Sequence, residues 1–299
     1  MHVGYSPREG GLMDRARFRR LLSIAITLAL LCGPQRVFGA SGQPGFNAII
    51  SDAVTRDHVI ALTFDDGPSP YTWAILSLLR AHHASATFFV VGMHVVTYPK
   101  IVKAEVTAGD LLGNHTYTHV DLAWLPEDEA IAQLQATQRV VRAETGTTPL
   151  WFRPPFDAVD ARVVTLAARL GLRTVTWSVD PRDWSEPGVA AIVQRVLVSV
   201  RPGSIVLFHD GGGYRAQTVA AVSVLLPILK QRGYRFVTLN TLFPSSLPHQ
   251  QRQLRKGRGP AHSHLTAYPP RHQAVYEVRV PTHVPTAVGV GTDLQKSAD

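Results

Sequence analysis

The chain has 299 residues, of which 45% are apolar and 17% are charged, and its formal net charge is +8. The excess positive charge lies at the two ends, because residues 1–40 hold six arginines against two acids and residues 241–299 hold seven basic residues against three acids. Residues 41–240 carry 17 basic and 17 acidic side chains, so their composition gives no reason to expect a nucleic-acid-binding surface there.

The N-terminus has the features of an export signal. A cluster of arginines precedes the apolar run Leu21–Cys32, and Val37-Phe38-Gly39 follows it with side chains that suit a signal peptidase. The run is shorter than the roughly 20 residues that a membrane span needs. We therefore predict a signal peptide over residues 1–40, with an uncleaved N-terminal anchor as the alternative, and a linker over residues 41–56.

The same segment bears on the compartment. Cys32 is the single cysteine, so cleavage after Gly39 would leave a mature protein with no disulfide to form, which an oxidising compartment permits. We expect the protein to be secreted or to reside in the periplasm or cell envelope, as a monomer. Contact with a membrane is expected only through an uncleaved N-terminal segment.

Residues 57–240 alternate short apolar runs with helical patterns. Strict alternation predicts parallel strands with crossover helices, in an open sheet or a closed barrel, and seven strands fit a barrel one strand short of the eight-stranded form. The predicted strands are 59–64, 86–91, 110–114, 150–153, 173–179, 204–209 and 235–239. The predicted helices lie near 70–82, 97–108, 126–144, 158–170, 187–200 and 215–232.

After residue 240 this pattern ends. Residues 241–299 are basic and rich in Pro and His with little apolar periodicity, so we predict a disordered or loosely ordered tail. Within it, Tyr276–Val280 alternates apolar and charged residues and is compatible with one short strand.

Two adjacent carboxylates end the first predicted strand. Asp65 and Asp66 follow the apolar run and are themselves followed by Gly67 and Pro68, which allow the chain to turn and stop the ladder. At the carboxyl end of a parallel sheet, one carboxylate of such a pair can bind a cation while the other transfers a proton. An ordinary turn is the alternative interpretation of the same four residues.

A second set of candidates follows the third strand. His115 and His119 are four residues apart, so on a helical turn they would project from one face and bind one metal ion. Two histidines and one Asp make a three-ligand set with open positions for water and substrate. Asp66 would be the third ligand. Histidines with this spacing also arise by chance, so the pair alone is weak evidence.

Further polar and aromatic residues follow the remaining strands: Arg153, Pro155 and Phe156 after the fourth, Asp183 and Trp184 after the fifth, and Leu207 and His209 on the sixth. Each has a structural interpretation by itself, such as a surface ion pair or a core side chain. Because the carboxyl ends of parallel strands share one face of the sheet, their joint placement favours an active site there.

These residues resemble the five motifs of the polysaccharide deacetylases of carbohydrate esterase family 4, the NodB-type domain. The matching segments, in chain order over about residues 57–240, are Thr63–Gly67, His115–His119, Arg153–Phe156, Asp180–Trp184 and Leu207–His209. The resemblance implies a distorted (β/α)7 barrel related to the TIM barrel, and metal-dependent removal of acetyl groups from sugars.

Residue by residue, the resemblance implies Asp65 as general base, His209 as general acid, Arg153 orienting the base and Asp183 tuning the acid. It implies Asp66, His115 and His119 as ligands of one divalent metal, Zn²⁺ with Co²⁺ or Ni²⁺ as alternatives. Substrate would be bound by Pro155, Phe156, Trp184 and Leu207. Two departures stand in the third motif, because the family commonly has Tyr at position 156 and Gly at position 157, where this chain has Phe156 and Asp157.

The sequence thus predicts a secreted N-acetylglucosamine deacetylase whose partner is an acetylated polysaccharide, peptidoglycan or a chitin-like chain. An O-acetyl esterase acting on acetylated xylan is an alternative, since it can use the same site. A third interpretation is a glycan-binding protein on an inactive barrel. In that case some of the metal ligands would be missing from the sequence. No nucleic-acid partner is expected.

Overall fold

The computed structural model describes residues 47–244, and their core is a parallel sheet flanked by helices. The seven strands are β1 Val59–Asp65, β2 Ala86–Val90, β3 Leu111–Asn114, β4 Trp151–Phe152, β5 Arg173–Thr174, β6 Ile205–His209 and β7 Arg235–Phe236. Each pairs in parallel with its neighbour, in the order β5-β4-β3-β2-β1-β6, while β7 pairs with the start of β1. This arrangement confirms the predicted α/β architecture.

The sheet curls into a distorted barrel that closes through the chain after β5. Residues 173–174 pair with β4, whereas Val179 forms a parallel bridge with Val206 of β6. Ser178 N donates to Ile205 O (3.0 Å), and Leu207 N donates to Val179 O (2.9 Å). One segment therefore contacts both edges of the sheet. This is why the predicted strand 173–179 is regular only over its first two residues.

Alternation along β1 separates the inside of the barrel from its outside. Ile60, Leu62 and Phe64 belong to the large apolar cluster beneath the helices. The intervening Ala61 packs in a second cluster with residues such as Phe89 and Trp151. Thr63 and Asp65 share the parity of Ala61, so β1 directs its two polar side chains into the barrel interior.

Eight helices occur between residues 47 and 244: α1 Pro70–Ala81, α2 Gly92–Thr97, α3 Pro99–Ala108, α4 Glu127–Thr145, α5 Ala161–Arg169, α6 Val189–Ser199, α7 Ala216–Gln231 and α8 Leu239–Leu242. Local chemistry explains several ends. Ser69 accepts from the N–H of Tyr71 and caps α1, and Asp160 accepts from the N–H of Val163 and caps α5. Gly109 and Gly146 end α3 and α4 in the left-handed conformation.

Helix α2 was not predicted, because a glycine opens it and sequence reasoning treats Gly as a breaker. The structure gives the reason for that glycine. A Cβ at position 92 would lie 2.4 Å from the ring of Tyr117, so only Gly allows this close approach. The helix predicted over 97–108 is α3, which begins at Pro99, and α2 precedes it with Tyr98 between the two.

The folded region extends past both predicted boundaries of the catalytic domain. Within the predicted linker, Ile50 is buried and bridges Val175, with its N–H donating to Thr174 O. At the other end, Phe243 is buried and packs against Trp151 at 5.6 Å between ring centroids. Ile50 and Phe243 therefore anchor the two ends of the folded region in one buried apolar cluster.

The predicted signal peptide (1–40) and nearly all of the predicted tail (241–299) lie outside the described residues, as does the short strand predicted at 276–280. Among residues 47–244, no helix has the length and apolar character needed to cross a membrane.

Candidate metal centre and active site

The predicted functional residues gather where the parallel strands end. Asp65 is the last residue of β1 and pairs in register with His209, the last residue of β6. Asn114 ends β3, directly before His115, and pairs with Phe152 of β4, directly before Arg153. The strand register therefore brings four sequence-distant segments to one mouth of the barrel.

The adjacent carboxylates diverge because the backbone changes conformation between them. Asp65 is still extended and points into the barrel, whereas Asp66 has φ 70°, a left-handed conformation that Asp tolerates better than most residues. Two glycines make room for it. A Cβ on Gly211 would lie 2.0 Å from Asp66 O, and one on Gly212 would lie 2.3 Å from Asp66 Oδ2. The loop after β6 thus fits closely around the Asp66 carboxylate.

His115 and His119 both face Asp66. Their Nε2 atoms lie 3.3 Å and 3.0 Å from Asp66 Oδ1, and the ligand atoms of all three side chains lie within 4.8 Å of one another. The expected helical turn between the histidines is wrong, because Thr116 and His119 have φ of 63° and 57°. A strained loop, rather than one face of a helix, brings the two rings together.

The three side chains fit a divalent metal by their donor chemistry. His115 Nδ1 lies 2.7 Å from Arg153 O, and since a carbonyl oxygen only accepts, Nδ1 carries the proton and Nε2 keeps its lone pair. Asp66 Oδ1 is buried and has no hydrogen-bond donor among the described residues. Two imidazole nitrogens and one carboxylate oxygen that converge on one point are the ligands of a catalytic zinc-type site.

Arg153 connects this cluster to the barrel interior. Its side chain is completely buried, and Nη1 donates to both Asp65 Oδ1 and Thr63 Oγ1 at 2.8 Å, while Nη2 donates to Thr176 O at 2.8 Å. The guanidinium also lies 4.3 Å from the ring centroid of Phe89. Both Nη atoms of Arg153 are therefore held in place, and Nη1 in turn positions one oxygen of Asp65.

The other oxygen of Asp65 faces the metal ligands. Asp65 Oδ2 lies 3.9 Å from His115 Nε2, so the carboxylate is beside the ligand cluster without belonging to it. This arrangement separates the two neighbouring carboxylates, with Asp66 among the histidines and Asp65 between them and Arg153.

His209 approaches the mouth from the opposite strand and is held by Asp183. Asp183 Oδ1 lies 2.9 Å from His209 Nδ1, and Oδ2 accepts from the His209 N–H at 2.9 Å. Thr218 of α7 donates its hydroxyl to the same Oδ2 at 2.8 Å. The Asp183 side chain is fully buried, so the imidazole has a fixed orientation with Nε2 left to face the site.

The electrostatics follow from burial and these contacts. Burial by itself would raise the pKa of Asp66, but the adjacent His115 and His119 rings, whose Nε2 atoms face its Oδ1, hold it well below its ordinary value when they carry positive charge. Burial would lower the pKa of His115 and of His209; nearby carboxylates outweigh it and raise both, through Asp65 and Asp66 for His115 and mainly through Asp183 for His209. Asp66 is therefore ionised, and His209 holds its proton more tightly than an ordinary histidine.

The two departures in the third motif lie in one tight loop. Phe156 and Asp157 have φ of 61° and 55°, consecutive left-handed residues within the turn Pro155–Asp157. This conformation explains a preference for Gly at position 157, and Asp is among the residues that tolerate it. The Phe156 ring is 71% exposed and meets the His119 ring edge-on at 4.7 Å between centroids.

The remaining predicted substrate-binding residues differ in exposure. Trp184 is 46% exposed in the turn Asp183–Ser185, and Arg182 lies over its ring at 5.4 Å. Pro155, which directly precedes Phe156 in the sequence, is buried. Leu207 is buried on β6 two residues before His209, so the two side chains lie on the same side of that strand. The two aromatic rings thus border the mouth, and Leu207 lies deeper in the barrel.

Sequence reasoning missed two residues that support the site. Asp210 is fully buried, accepts a hydrogen bond on its side chain from Thr72, and accepts another on its backbone carbonyl from Ser69. Burial raises its pKa to about 7. His94 donates from Nδ1 to Asp66 O at 2.8 Å. The position of Asp210 next to His209 was an available signal, whereas nothing local marks His94.

Comparison with known proteins agrees with this geometry. The profile of a family described as polysaccharide deacetylase matches residues 52–175. A peptidoglycan-N-acetylglucosamine deacetylase of Bacillus cereus is 44% identical over 190 residues, which cover 62% of this chain and 89% of that protein. A chitooligosaccharide deacetylase of Sinorhizobium fredii is 42% identical over 187 residues, 58% of this chain and 87% of that protein. The crystal structure of the peptidoglycan N-acetylglucosamine deacetylase Bc1960 superposes with a TM-score of 0.64 and 35% identity, covering 66% of this chain and 92% of that one.

Proposed function

Because the chain belongs to the polysaccharide deacetylase family, carbohydrate esterase family 4, we propose that it removes N-acetyl groups from N-acetylglucosamine units of an extracellular polysaccharide and releases acetate. The substrate class is peptidoglycan or a chitin-like chain. The observation that carries this proposal is the placement of Asp65, 3.9 Å from His115 Nε2, beside the complete ligand set of Asp66, His115 and His119. An inactive glycan-binding barrel would not need that set to be complete.

Asp66, His115 and His119 would hold one divalent ion, Zn²⁺ with Co²⁺ or Ni²⁺ as alternatives. When bound, such an ion supplies positive charge that lowers the pKa of water from about 15.7 to about 7 and polarises a carbonyl oxygen. The ligands are prepared for it, since the carbonyl of Arg153 fixes the His115 tautomer. The ligand loops are also rigid, because glycines pack against Asp66.

Asp65 is the general base in this proposal. Its Oδ2 is next to the ligand cluster and is free to take a proton from the attacking water, while Oδ1 stays bonded to Arg153. The buried guanidinium donates to Oδ1 and so fixes the direction in which Oδ2 points. Arg153 thus orients the base.

Attack on the acetamide carbon produces a tetrahedral oxyanion, which needs donors already in place. The left-handed turn Pro155–Asp157 is adjacent to His119 through the Phe156 ring. We assign the backbone N–H of Phe156 to the oxyanion. Pro155 and the exposed ring of Phe156 would contact the sugar, and Trp184 and Leu207 would line the acetyl pocket.

His209 is the general acid that protonates the departing amine. An amide expels its nitrogen only once that nitrogen carries a proton, and otherwise the intermediate returns to substrate. Asp183 raises the pKa of His209 and orients its ring, so that the protonated form persists near neutral pH. The products are acetate and a glucosamine unit.

The location of the protein is a separate proposal. We infer secretion or residence in the periplasm or cell envelope from the predicted signal peptide, and a monomeric state. The inference about location is supported by relatives that are peptidoglycan and chitooligosaccharide deacetylases.

Acetate release from peptidoglycan, chitooligosaccharides and acetylated xylan, measured with metal-stripped protein to which Zn²⁺, Co²⁺ or Ni²⁺ is added back, tests the function. We expect activity on one of the N-acetylated substrates, loss on chelation and recovery with a divalent ion. His115→Ala should lose most of the bound metal, measured by elemental analysis. Activity confined to acetylated xylan would make the protein an O-acetyl esterase, and full activity of metal-free protein would contradict the mechanism.

A further inference from the structure

The end of the barrel opposite the active site carries a cluster of exposed basic side chains. Helices α1, α6 and α7 run back from the mouth, so their carboxyl ends lie where β2, β6 and β7 begin. Residues 54–58, 80–84, 198–203 and 230–235 meet there, and they hold six basic side chains against one acid, Asp57. Arg201 pairs with Asp52 at 2.7 Å. We call the other five, which are all exposed, the basic face: Arg56, Arg80, Lys230, Arg232 and Arg235.

Hydrogen bonds join these segments into one surface. Lys230 Nζ donates at 2.8 Å to the carbonyl of the residue that follows α1, and so connects the ends of α7 and α1. Arg232 Nη1 donates to Leu197 O at 2.9 Å, which connects the end of α7 to α6. The Arg235 N–H donates to His58 O at 2.8 Å, where β7 meets the residues before β1. The basic face is therefore continuous across the segments that precede β1, β2, β6 and β7.

Two valines project from the same end of the barrel. Val54 is completely exposed and Val198 is 75% exposed. The Ala53 N–H donates to Gly203 O at 2.9 Å, which places Val54 beside the segment that follows α6, the helix whose last turn carries Val198. Apolar side chains that project among basic ones suit the surface of a bilayer, where anionic headgroups attract the basic groups and the interface accepts the apolar ones. A water-soluble polyanion would leave the valines in water.

The active site lies at the other end of the same strands. β1 spans seven residues from Val59 to Asp65, and at about 3.3 Å per residue this strand separates the basic face from the mouth by roughly 20 Å. The loops after β4 and β5 carry three exposed acids, Asp157, Asp160 and Glu186, against one exposed arginine. An anionic surface would therefore attract the basic face in preference to these loops, and would leave the mouth accessible.

We propose that the basic face binds an anionic lipid bilayer, with Val54 and Val198 in the headgroup region and the mouth directed away from the membrane. This contact is additional to any through the N-terminal segment, and it needs no membrane-spanning helix. It does not depend on the deacetylase function. For a deacetylase, it would hold the active site toward polymer that lies outside the membrane.

Two double variants with the same change in net charge test the basic face. Arg80→Gln with Arg235→Gln removes two of its charges, while Lys100→Gln with Arg182→Gln removes two exposed charges near the mouth. Binding of the full chain to vesicles of phosphatidylglycerol and phosphatidylcholine is measured by cosedimentation, with pure phosphatidylcholine for comparison. We expect the first double variant to weaken binding to the anionic vesicles about tenfold or more, and the second to change it little. Added salt should weaken wild-type binding.

A matched pair of valines distinguishes a bilayer from a soluble polyanion. Val54→Trp adds an amphipathic ring beside the basic face, whereas Val96→Trp adds the same ring to α2, near the mouth, where Val96 is 55% exposed. Because Trp favours the membrane interface, Val54→Trp should bind anionic vesicles more tightly than the wild type, and Val96→Trp should not. Neither substitution should change binding to soluble polyphosphate. This comparison also decides the proposal if the double arginine variant fails to fold.

Turnover of a soluble chitooligosaccharide reports the orientation. Saturating anionic vesicles should leave turnover unchanged, since the mouth faces away from the membrane, and inhibition by vesicles would overturn the proposed orientation. Wild-type protein that does not bind the vesicles, or equal losses of binding in the two double variants, would overturn the basic face as the docking surface. If Arg80→Gln with Arg235→Gln loses polyphosphate binding but keeps vesicle binding, the partner is an anionic polymer instead. Normal vesicle binding by a protein that deacetylates no glycan would overturn the proposed function alone.

Discussion

Asp183 holds His209 at two points: its Oδ1 lies 2.9 Å from the ring Nδ1, and its Oδ2 accepts the backbone N–H of the same residue at 2.9 Å. One buried carboxylate therefore fixes both the position and the protonation of the proposed acid. Thr218 keeps that carboxylate oriented from helix α7. The family resemblance implied that Asp183 tunes His209, and the structure places the two side chains in contact.

The first prediction concerns the pH dependence of this pair. Asp183→Asn removes the negative charge with little change in shape, so the pKa of His209, which Asp183 raises, should fall. An acid acts while protonated, and activity is lost as pH rises through its pKa. The alkaline limb of kcat/KM should therefore move to lower pH, with metal content unchanged. An unmoved alkaline limb in folded, metal-loaded Asp183→Asn would mean that another group sets the pKa of the acid.

The second prediction distinguishes the adjacent carboxylates. Asp65→Asn should retain metal but lose roughly 10²- to 10⁴-fold in kcat, as expected for removal of a general base. It should also lower the free energy of unfolding, because Arg153 is completely buried and Asp65 is its carboxylate partner. Asp66→Asn should instead weaken metal affinity, measured by competition with a chelator. Reversed phenotypes would show that the two roles are exchanged.

The third prediction uses the left-handed residue Asp157, whose φ is 55°. Asp157→Ala should lower the free energy of unfolding by about 1 kcal/mol, because a Cβ is strained in this conformation and Ala lacks the local hydrogen bonding of Asp. Asp157→Gly should be at least as stable as the wild type, and Asp157→Asn serves as the control that keeps the same shape. Chemical denaturation measures all three. Equal stability of the Ala and Gly variants would show that the turn relaxes.

The fourth prediction concerns Glu105, on the inner face of helix α3. It is completely buried, neither carboxylate oxygen has a hydrogen-bond partner among the described residues, and burial raises its pKa well above the ordinary value. Below the pKa that Glu105 has in the unfolded chain, the residue is protonated in both states and its burial carries no ionisation cost. Above that pKa the unfolded chain releases the proton while the folded protein keeps it, so the free energy of unfolding falls as pH rises. Glu105→Gln should therefore gain stability relative to the wild type between pH 4 and pH 7.

Denaturation midpoints of Glu105→Gln and wild type across that pH range provide the measurement. Glu144, which is partly exposed and paired with Lys103 at 3.0 Å, offers a control, since Glu144→Gln should show no such increase. A constant difference between Glu105→Gln and wild type at all pH values would indicate that the pKa of Glu105 is the same in the folded and the unfolded protein.

The fifth prediction separates the site from the basic C-terminal residues. Every residue assigned a role lies between positions 63 and 218, so a protein lacking residues 245–299 should turn over a soluble oligosaccharide at nearly the wild-type rate. Any loss should appear on insoluble anionic polymer and should diminish with salt, as screened attraction does. A collapse of soluble-substrate activity in the folded truncation would mean that this region builds part of the site.

The seven strands could be predicted because each is a short apolar run bounded by turn residues, and this signal is local. Helix α2 and the irregular end of the predicted strand 173–179 could not, since both depend on partners far along the chain. Position 92 requires Gly because the Tyr117 ring packs where a Cβ would lie. The local sequence shows only a glycine, which is ordinarily taken to interrupt a helix. The bridge to Val206 draws Val179 away from regular pairing with β4.

The sequence by itself identified the candidate site residues, because motif residues at strand ends are recognisable by type, order and spacing. Only the tertiary structure decided how the side chains meet. The His115–His119 spacing is the same in a helix and in the loop found here, and the positive φ values of Thr116 and His119 were not encoded in that spacing. Strand register, not sequence distance, puts Asp65 beside His209. The cavity lined by Tyr71, His94 and Gly212, which belong to loops after three different strands, exists only once those strands are neighbours.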